Sequence, residues 1–234
     1  MRRLTLVLAA VSVMCLGVAS AATVDCSAQG TSIGPRTILF TYSQWATDPQ
    51  MTGNDGCLQE DKIFSNFDPG AAPTDTVMAL TLQKDPVTGG DIHTVVFLDD
   101  FAFPFTIMYT VRVDTSVTSE VIWKVTGDIL NTAAQDDPQL NKRLCDSPIA
   151  GTCAGSTFDM NATASAALGP LTILVPNLQR LNVTDAYTTA GGVGAEGFSN
   201  AFYQISGVPE PGTTALLGGG LLVLGFISRR RRTV

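Results

Sequence analysis

Residues 105–113 read Phe-Thr-Ile-Met-Tyr-Thr-Val-Arg-Val, and this stretch sets the fold class. Large apolar side chains occupy its odd positions, whereas threonine, methionine and arginine occupy the even ones. Side chains of a β-strand point alternately to its two faces, so the pattern predicts a strand with one buried face. Residues 117–125 continue the alternation after the turn-forming trio Asp-Thr-Ser at 114–116, which predicts a hairpin.

Further short apolar segments between residues 23 and 206 predict more strands, separated by turns. Asp-Pro and Gly-Gly pairs stand between them, which is good turn chemistry. Helical periodicity is not sustained for three turns in this region, although the Ala-rich residues 161–168 are compatible with one short helix. Many short strands without β-α-β alternation indicate an all-β fold, an antiparallel β-sandwich of jelly-roll type. The remaining predicted strands are 37–42, 62–67, 76–84, 92–98, 171–175, 178–185 and 198–205.

The first twenty-two residues have the three parts of a secretory signal peptide. Two arginines follow Met1, an apolar stretch covers 4–18, and small residues end at Ala19-Ser20-Ala21. An A-x-A site of this kind predicts cleavage after Ala21 or, one residue later, after Ala22. The alternative is an uncleaved anchor, which the shortness of the apolar run disfavours.

The last twenty-eight residues have a different three-part pattern. Val208-Pro209-Glu210-Pro211 comes first, and residues 213–228 then carry no charge. As a helix those sixteen residues would rise about 24 Å, enough to cross a locally thinned bilayer. The tail Arg229-Arg230-Arg231-Arg232 would stay in the cytoplasm and leave the bulk of the chain on the other side.

Pro-Glu-Pro, a short apolar helix and a terminal arginine cluster resemble the PEP-CTERM sorting signal of exported proteins in Gram-negative bacteria. The resemblance implies recognition by an exosortase in the inner membrane, removal of the helix and tail, and delivery to the cell surface or beyond. A plain C-terminal anchor is the alternative. We therefore predict a signal peptide at 1–22, one β-sandwich domain at 23–206 and a sorting signal at 207–234. Residues 56–67 are also similar to a pattern of Cys, Asp-Lys, Phe and Phe that recurs in β-sandwich domains preceding this sorting signal. This second resemblance implies a shared sandwich fold and no catalytic residue.

The predicted domain is strongly acidic. Residues 23–206 contain 8 basic and 20 acidic residues, a net charge of 8 − 20 = −12. Phosphate contacts require a basic face, so a nucleic-acid partner is not expected. An acidic exported domain could instead stay soluble within an extracellular polysaccharide or be bridged to it by Ca²⁺.

Four cysteines remain after signal removal, namely Cys26, Cys57, Cys145 and Cys153. An even number in an exported chain favours disulfides, and three pairings are possible. We favour Cys26 with Cys57 and Cys145 with Cys153, because each is nearest to its partner in sequence. A zinc site is the alternative, but neither pair has C-x-x-C spacing and no histidine lies nearby, so no metal is predicted.

Catalytic patterns are few. Residues 30–34 match G-x-S-x-G, but that motif needs a following helix and a later histidine, so we predict a loop. The single histidine, His93, lies on the apolar row of a predicted strand, which indicates a structural role. Acidic pairs could offer oxygen ligands to Ca²⁺, but solvated turns are the expected role and no cofactor is predicted. These pairs are Asp99 with Asp100, Asp136 with Asp137, and Asp85 with Asp91.

Two function classes remain. We expect a non-enzymatic protein of the cell surface or extracellular matrix, processed by an exosortase. The alternative is a carbohydrate-binding module or glycan-active enzyme on a jelly-roll sandwich, which a row of exposed aromatic side chains would distinguish. The candidate aromatic residues are Tyr42, Trp45, Phe101, Phe103, Phe105 and Trp123, of which most are expected in the core.

Overall fold

Strands dominate the computed structural model, which describes residues 23–130, 138–146, 153, 155–163, 171–189 and 195–206. The predicted signal peptide, with Ala19, Ala21 and Ala22, lies outside these residues. So does the whole segment 207–234, with the Pro-Glu-Pro motif, the apolar stretch and the arginine tail. Within the described ranges no helix has the length and apolar character needed to cross a membrane.

The described residues form fourteen strands, two short α-helices and one π-helical turn. Asp25 caps α1 by accepting from Ser27 N at 2.8 Å, and Asp48 caps α2 by accepting from Gln50 N at 2.7 Å. The elements in chain order are β1 (Val24–Asp25), α1 (Cys26–Gln29), β2 (Thr31–Gly34), β3 (Thr37–Phe40), the π-helical turn (Ser43–Thr47), α2 (Pro49–Thr52), β4 (Cys57–Gln59), β5 (Lys62–Asp68), β6 (Val77–Lys84), β7 (Asp91–Phe101), β8 (Phe105–Val113), β9 (Glu120–Leu130), β10 (Gln139–Cys145), β11 (Thr157–Thr163), β12 (Leu171–Leu178), β13 (Arg180–Thr188) and β14 (Ala195–Ser206).

The strands form two seven-stranded sheets that pack as a sandwich. Sheet A has the order β1-β4-β5-β8-β13-β10-β11, and sheet B has the order β12-β9-β14-β7-β6-β3-β2. All pairs are antiparallel except β1 with β4. From β7 to β10 the chain changes sheet at every connection, the alternation expected of a jelly-roll arrangement. The predicted all-β sandwich is therefore confirmed.

The core lies between the sheets and is rich in aromatic rings. On β7 buried side chains alternate with less buried ones from Asp91 to Leu98, and Val95, Phe97 and Phe101 are fully buried. Phe97 and Phe198 face each other across the β7–β14 ladder, with ring centroids 5.0 Å apart. Burial of such rings is the main favourable term in folding.

Two disulfides fasten the ends of the sandwich. Cys26 is bonded to Cys57, which ties α1 to β4, and Cys145 is bonded to Cys153 beyond β10. Both predicted pairings are confirmed. Gly56, directly before β4, has φ +62, and a Cβ there would lie 2.2 Å from Phe64 O, so only glycine fits this turn.

Several local predictions were wrong. Strand β8 has the predicted bounds, but β8 and β9 belong to different sheets and do not form a hairpin. Both strands bury one face against the core, so the turn at 114–116 crosses the sandwich. Residues 31–34 form an edge strand, and residues 161–163 belong to β11, so the expected loop and helix start are not found there.

Candidate functional site

Lysines inside the sandwich are the most unusual feature of the described residues. The region 23–206 has four lysines, of which Lys84 and Lys124 reach the surface. Lys62 is 0% exposed and Lys142 is 2% exposed. Lysine is almost never fully buried unless a partner compensates its charge. The two buried lysines therefore mark two charged clusters inside the sandwich.

The end cluster consists of Asp61, Lys62, His93 and Gln204. Lys62 Nζ lies 3.0 Å from Asp61 Oδ2, and Gln204 Nε2 donates to the same oxygen at 2.6 Å. His93 Nε2 lies 3.2 Å from Asp61 Oδ1, off the axis of a hydrogen bond. One carboxylate in the β4–β5 turn thus gathers side chains from both sheets.

The electrostatics of the end cluster favour a fixed charge on Asp61. Burial by itself raises the pKa of Asp61, but the contacts of His93, Lys62 and Gln204 outweigh it and hold that pKa well below its ordinary range. Burial lowers the pKa of His93, and the Asp61 carboxylate offsets this only in part. His93 is therefore neutral near pH 7.

The central cluster consists of Tyr109, Lys142, Asp185 and Asn200. Lys142 Nζ pairs with Asp185 Oδ1, and these two residues are direct cross-strand partners on β10 and β13 of sheet A. Asn200, on β14 of sheet B, donates from Nδ2 to Asp185 Oδ2 at 2.5 Å and to Tyr109 Oη at 2.6 Å. The carboxylate of Asp185 therefore holds an amine on one oxygen and an amide on the other.

A glycine makes room for the buried lysine of the central cluster. Gly127 on β9 is the direct cross-strand partner of Asn200. A Cβ on Gly127 would lie 2.7 Å from Lys142 Cε and 3.8 Å from Lys142 Nζ. The end of the Lys142 side chain thus lies against sheet B beside Asn200. Burial lowers the pKa of Lys142, against the opposing charge of Asp185.

The outer face of sheet A carries an open groove of about 450 Å³. Arg143 Nε pairs with Asp159 Oδ1 at 2.9 Å in its lining, and both side chains are more than half exposed. The described lining contains no aromatic ring; besides this ion pair it includes Asn141, Asn161, Thr184 and Ala186.

Of the predicted acidic pairs, the carboxylates of Asp85, Asp91 and Asp99 are engaged by protein donors. Asp85 accepts from Val87 N at 2.9 Å and from Thr88 Oγ1 at 2.8 Å, and Asp91 pairs with Lys84 Nζ at 2.6 Å. Asp99 accepts from Thr76 Oγ1 at 2.9 Å and from the backbone N–H of its neighbour Asp100 at 2.7 Å. Residues 136–137 lie outside the described ranges. Within those ranges no three metal-binding side chains come together.

The aromatic candidates divide between core and surface. Trp45, Phe101 and Phe105 are buried, Tyr42 and Trp123 are half-buried, and Phe103 is 55% exposed. The Trp123 face is partly covered, because Lys124 Nζ lies 5.2 Å from the centre of its ring and 3.4 Å from that of Tyr203. The described aromatic side chains therefore form no open row.

Beyond the last strand, residues 207–232 match the family model of the PEP-CTERM protein-sorting motif. The chain carries a PEP-CTERM sorting motif. The matched segment begins directly after β14 ends at Ser206 and contains Val208-Pro209-Glu210-Pro211 and the four arginines. The resemblance seen in the sequence is confirmed, and the motif indicates export and sorting by an exosortase.

Comparison with known proteins adds little beyond the motif. No curated protein matches the chain. Among solved structures the chain is similar to TmCBM61 in complex with beta-1,4-galactotriose, at 11% identity over 69% of this chain and 97% of that chain, with a TM-score of 0.30. A likeness this distant carries no argument about function.

Sequence reasoning missed both buried clusters, although a signal was present. Lys142 stands between Leu140 and Leu144 on one apolar row. Asp185 and Asn200 likewise interrupt the apolar rows of β13 and β14. These residues can be recognised in the sequence as polar side chains at the alternating positions of a strand that are otherwise apolar.

Proposed function

We propose that this PEP-CTERM protein is a non-enzymatic component of the cell surface or extracellular matrix. Its sandwich domain would be exported through the N-terminal signal, held in the inner membrane by the C-terminal helix, and freed by an exosortase that acts at Pro-Glu-Pro. The observation that carries the proposal is the sorting motif at 207–232, placed directly after the last strand of the domain.

Several features of the domain support a structural role. The disulfides suit an oxidising compartment, and the net charge of −12 for residues 23–206 suits a soluble protein among anionic polymers. The titratable groups of both clusters lie inside the sandwich, away from substrates. His93 is fully buried. The proposal needs no resident cofactor.

A carbohydrate-binding module remains the second candidate, and the groove on sheet A is where it would bind sugar. Asn141, Arg143, Asp159 and Asn161 supply planar polar groups there, but stacking rings that commonly hold sugars are missing from the described lining. A glycan array probed with the purified protein separates the candidates. If the protein is structural, the wild type should bind no glycan on the array. If the wild type binds a glycan and Arg143→Ala does not, the result would favour the carbohydrate-binding module.

The sorting step is tested in the native host with a pair of glutamate variants. Glu210→Ala alters the motif, and Glu196→Ala, on the exposed side of β14, is the matched control. Wild type and control should lose the C-terminal tail and leave the inner membrane, whereas Glu210→Ala should stay there at higher mass. Equal size and location for all three proteins would contradict sorting through Pro-Glu-Pro.

A further inference from the structure

We propose that Lys142 and Asn200 become joined by an amide bond between Nζ and Cγ, with Asp185 carrying the proton. The bond would form inside the folded domain and would connect β10 of sheet A to β14 of sheet B. It would be a covalent cross-link between the two sheets, in addition to the disulfides.

The two side chains are brought together by independent features of the fold. Lys142 and Asn200 both contact the Asp185 carboxylate, one on each oxygen. The lysine end also lies 3.8 Å from the Cβ position of Gly127, and Gly127 is the cross-strand partner of Asn200. Side chains of cross-strand partners are about 5 Å apart at Cβ, so Nζ and the Asn200 amide are neighbours. Fixed proximity of this kind lowers the barrier of an otherwise slow reaction.

The surroundings favour neutral reactants. Lys142, Asp185 and Asn200 are at most 2% exposed, and Ile107 and Val95 flank the group as partners of Asp185 and Asn200 in the two sheets. The Lys142–Asp185 contact provides a direct path for one proton to pass from Nζ to the carboxylate, and this transfer leaves no charge in the desolvated interior. Burial lowers the pKa of Lys142, which acts in the same direction. A neutral amine is the nucleophilic form of lysine.

Rotation of the Asn200 side-chain amide would activate its carbonyl carbon toward attack. Its Oδ1 is buried without a hydrogen-bond partner. A half-turn about the Cβ–Cγ bond would let Oδ1 accept from the Tyr109 hydroxyl and from a protonated Asp185. These donors would polarise the carbonyl and stabilise the negative charge that develops on its oxygen during attack.

The reaction balances without any outside reagent. The neutral Lys142 amine attacks Asn200 Cγ, and the new N–C bond forms as the carbonyl becomes tetrahedral. Once the tetrahedral carbon turns Nδ2 back toward Asp185, the position it holds in the structure, Asp185 accepts a proton from the attacking nitrogen and gives its own to Nδ2, which leaves as ammonia when the C–Nδ2 bond breaks. The products are a secondary amide and one molecule of NH₃, so the protein loses about 17 Da.

The end cluster contains the same three functional groups, an amine, a carboxylate and a carboxamide, and makes an internal control. Lys62, Asp61 and Gln204 meet in a similar way across the sheets. The contacts of His93, Lys62 and Gln204 hold Asp61 ionised, and its pKa lies well below the ordinary range. Asp61 therefore has no proton to give to a leaving amide nitrogen, and no cross-link is expected there.

The test is the mass of the exported full-length chain, purified from a Gram-negative host and fully reduced. The folded protein should weigh about 17 Da less than the sequence of its processed form. The amide bond removes the positive charge of Lys142, so trypsin should cut after Arg143 but not after Lys142. Digestion should therefore release a branched peptide in which the segment containing Lys142 is joined to the segment that begins at Leu181 and contains Asn200. A succinimide at an asparagine would give the same mass loss without a branched peptide, which would overturn the proposal.

Matched variants assign the roles. Lys142→Met and the isosteric Asp185→Asn should each restore the full mass, whereas Lys62→Met should keep the loss. If a variant fails to fold, the wild-type protein alone decides: a folded wild type at the unmodified mass refutes the bond. A loss of about 18 Da with a link from Lys142 to Asp185 would equally overturn the assignment to Asn200.

Discussion

Replacing Asp61 by asparagine should strongly destabilise the sandwich, because it leaves the buried Lys62 without its counter-charge. Lys62 is 0% exposed, and its Nζ lies 3.0 Å from Asp61 Oδ2. Removing one partner of a buried ion pair costs about 3 to 5 kcal/mol of unfolding free energy. The charge-assisted hydrogen bond from Gln204 to the same oxygen also weakens, so a loss near the upper end is expected.

Urea unfolding at pH 7, followed by far-UV circular dichroism, measures this loss. With an m-value of about 2 kcal/mol/M, the midpoint should fall by roughly 2 M. Asp159→Asn makes the same chemical change in the exposed pair with Arg143, and it should leave the midpoint unchanged. In the double variant Asp61→Asn with Lys62→Met the buried cation is gone, so most of the lost stability should return.

Two results would refute this reasoning. The first is an Asp61→Asn midpoint that coincides with that of wild type, which would mean that Lys62 does not depend on Asp61. The second is a double variant no more stable than the single one, which would place the cost in lost packing and not in an unpaired charge.

Three further predictions concern the disulfide, the glycine and the histidine. Replacing Cys26 and Cys57 by alanine should cost about 3.5 kcal/mol on the loop-entropy model for their separation of 31 residues, measured by urea unfolding against the oxidised wild type. Gly127→Ala should cost about 1 to 3 kcal/mol by displacing the buried lysine of the central cluster, whereas Gly34→Ala, with open space around its Cβ position, should be neutral in the same assay. His93 has a lowered pKa in the fold, so the unfolded chain binds its proton first and stability should fall as the pH drops below about 6.5; His93→Gln should remove that slope, and an unchanged slope would contradict the assignment.

Period-2 alternation located strands well but did not determine their partners. Strand β8 has the predicted bounds, because its alternation is strong and uninterrupted. Its neighbours are β5 and β13, far away in sequence, and these ladders are fixed by packing across the whole sandwich. The expected β8–β9 hairpin failed for that reason, and no local pattern distinguishes a hairpin turn from a crossing between sheets.

The buried clusters show the same limit at the level of side chains. Asp185 and Asn200 each interrupt an apolar row, which the sequence displays. Their meeting with Lys142 depends on the register of β10 with β13 and of β9 with β14, which only the folded chain provides. In contrast, both disulfides and the sorting motif were predictable. Each cysteine is bonded to its nearest neighbour in sequence, and the sorting motif is a single contiguous segment.

The most direct test of the account is the intact mass of the protein recovered from the outside of its own host. Sorting through the PEP-CTERM motif predicts a chain that begins at Ala22 or Thr23 and ends between Pro209 and Pro211. A recovered chain that still carries Arg229 to Arg232 would contradict processing and would leave a sandwich that is simply anchored in the membrane.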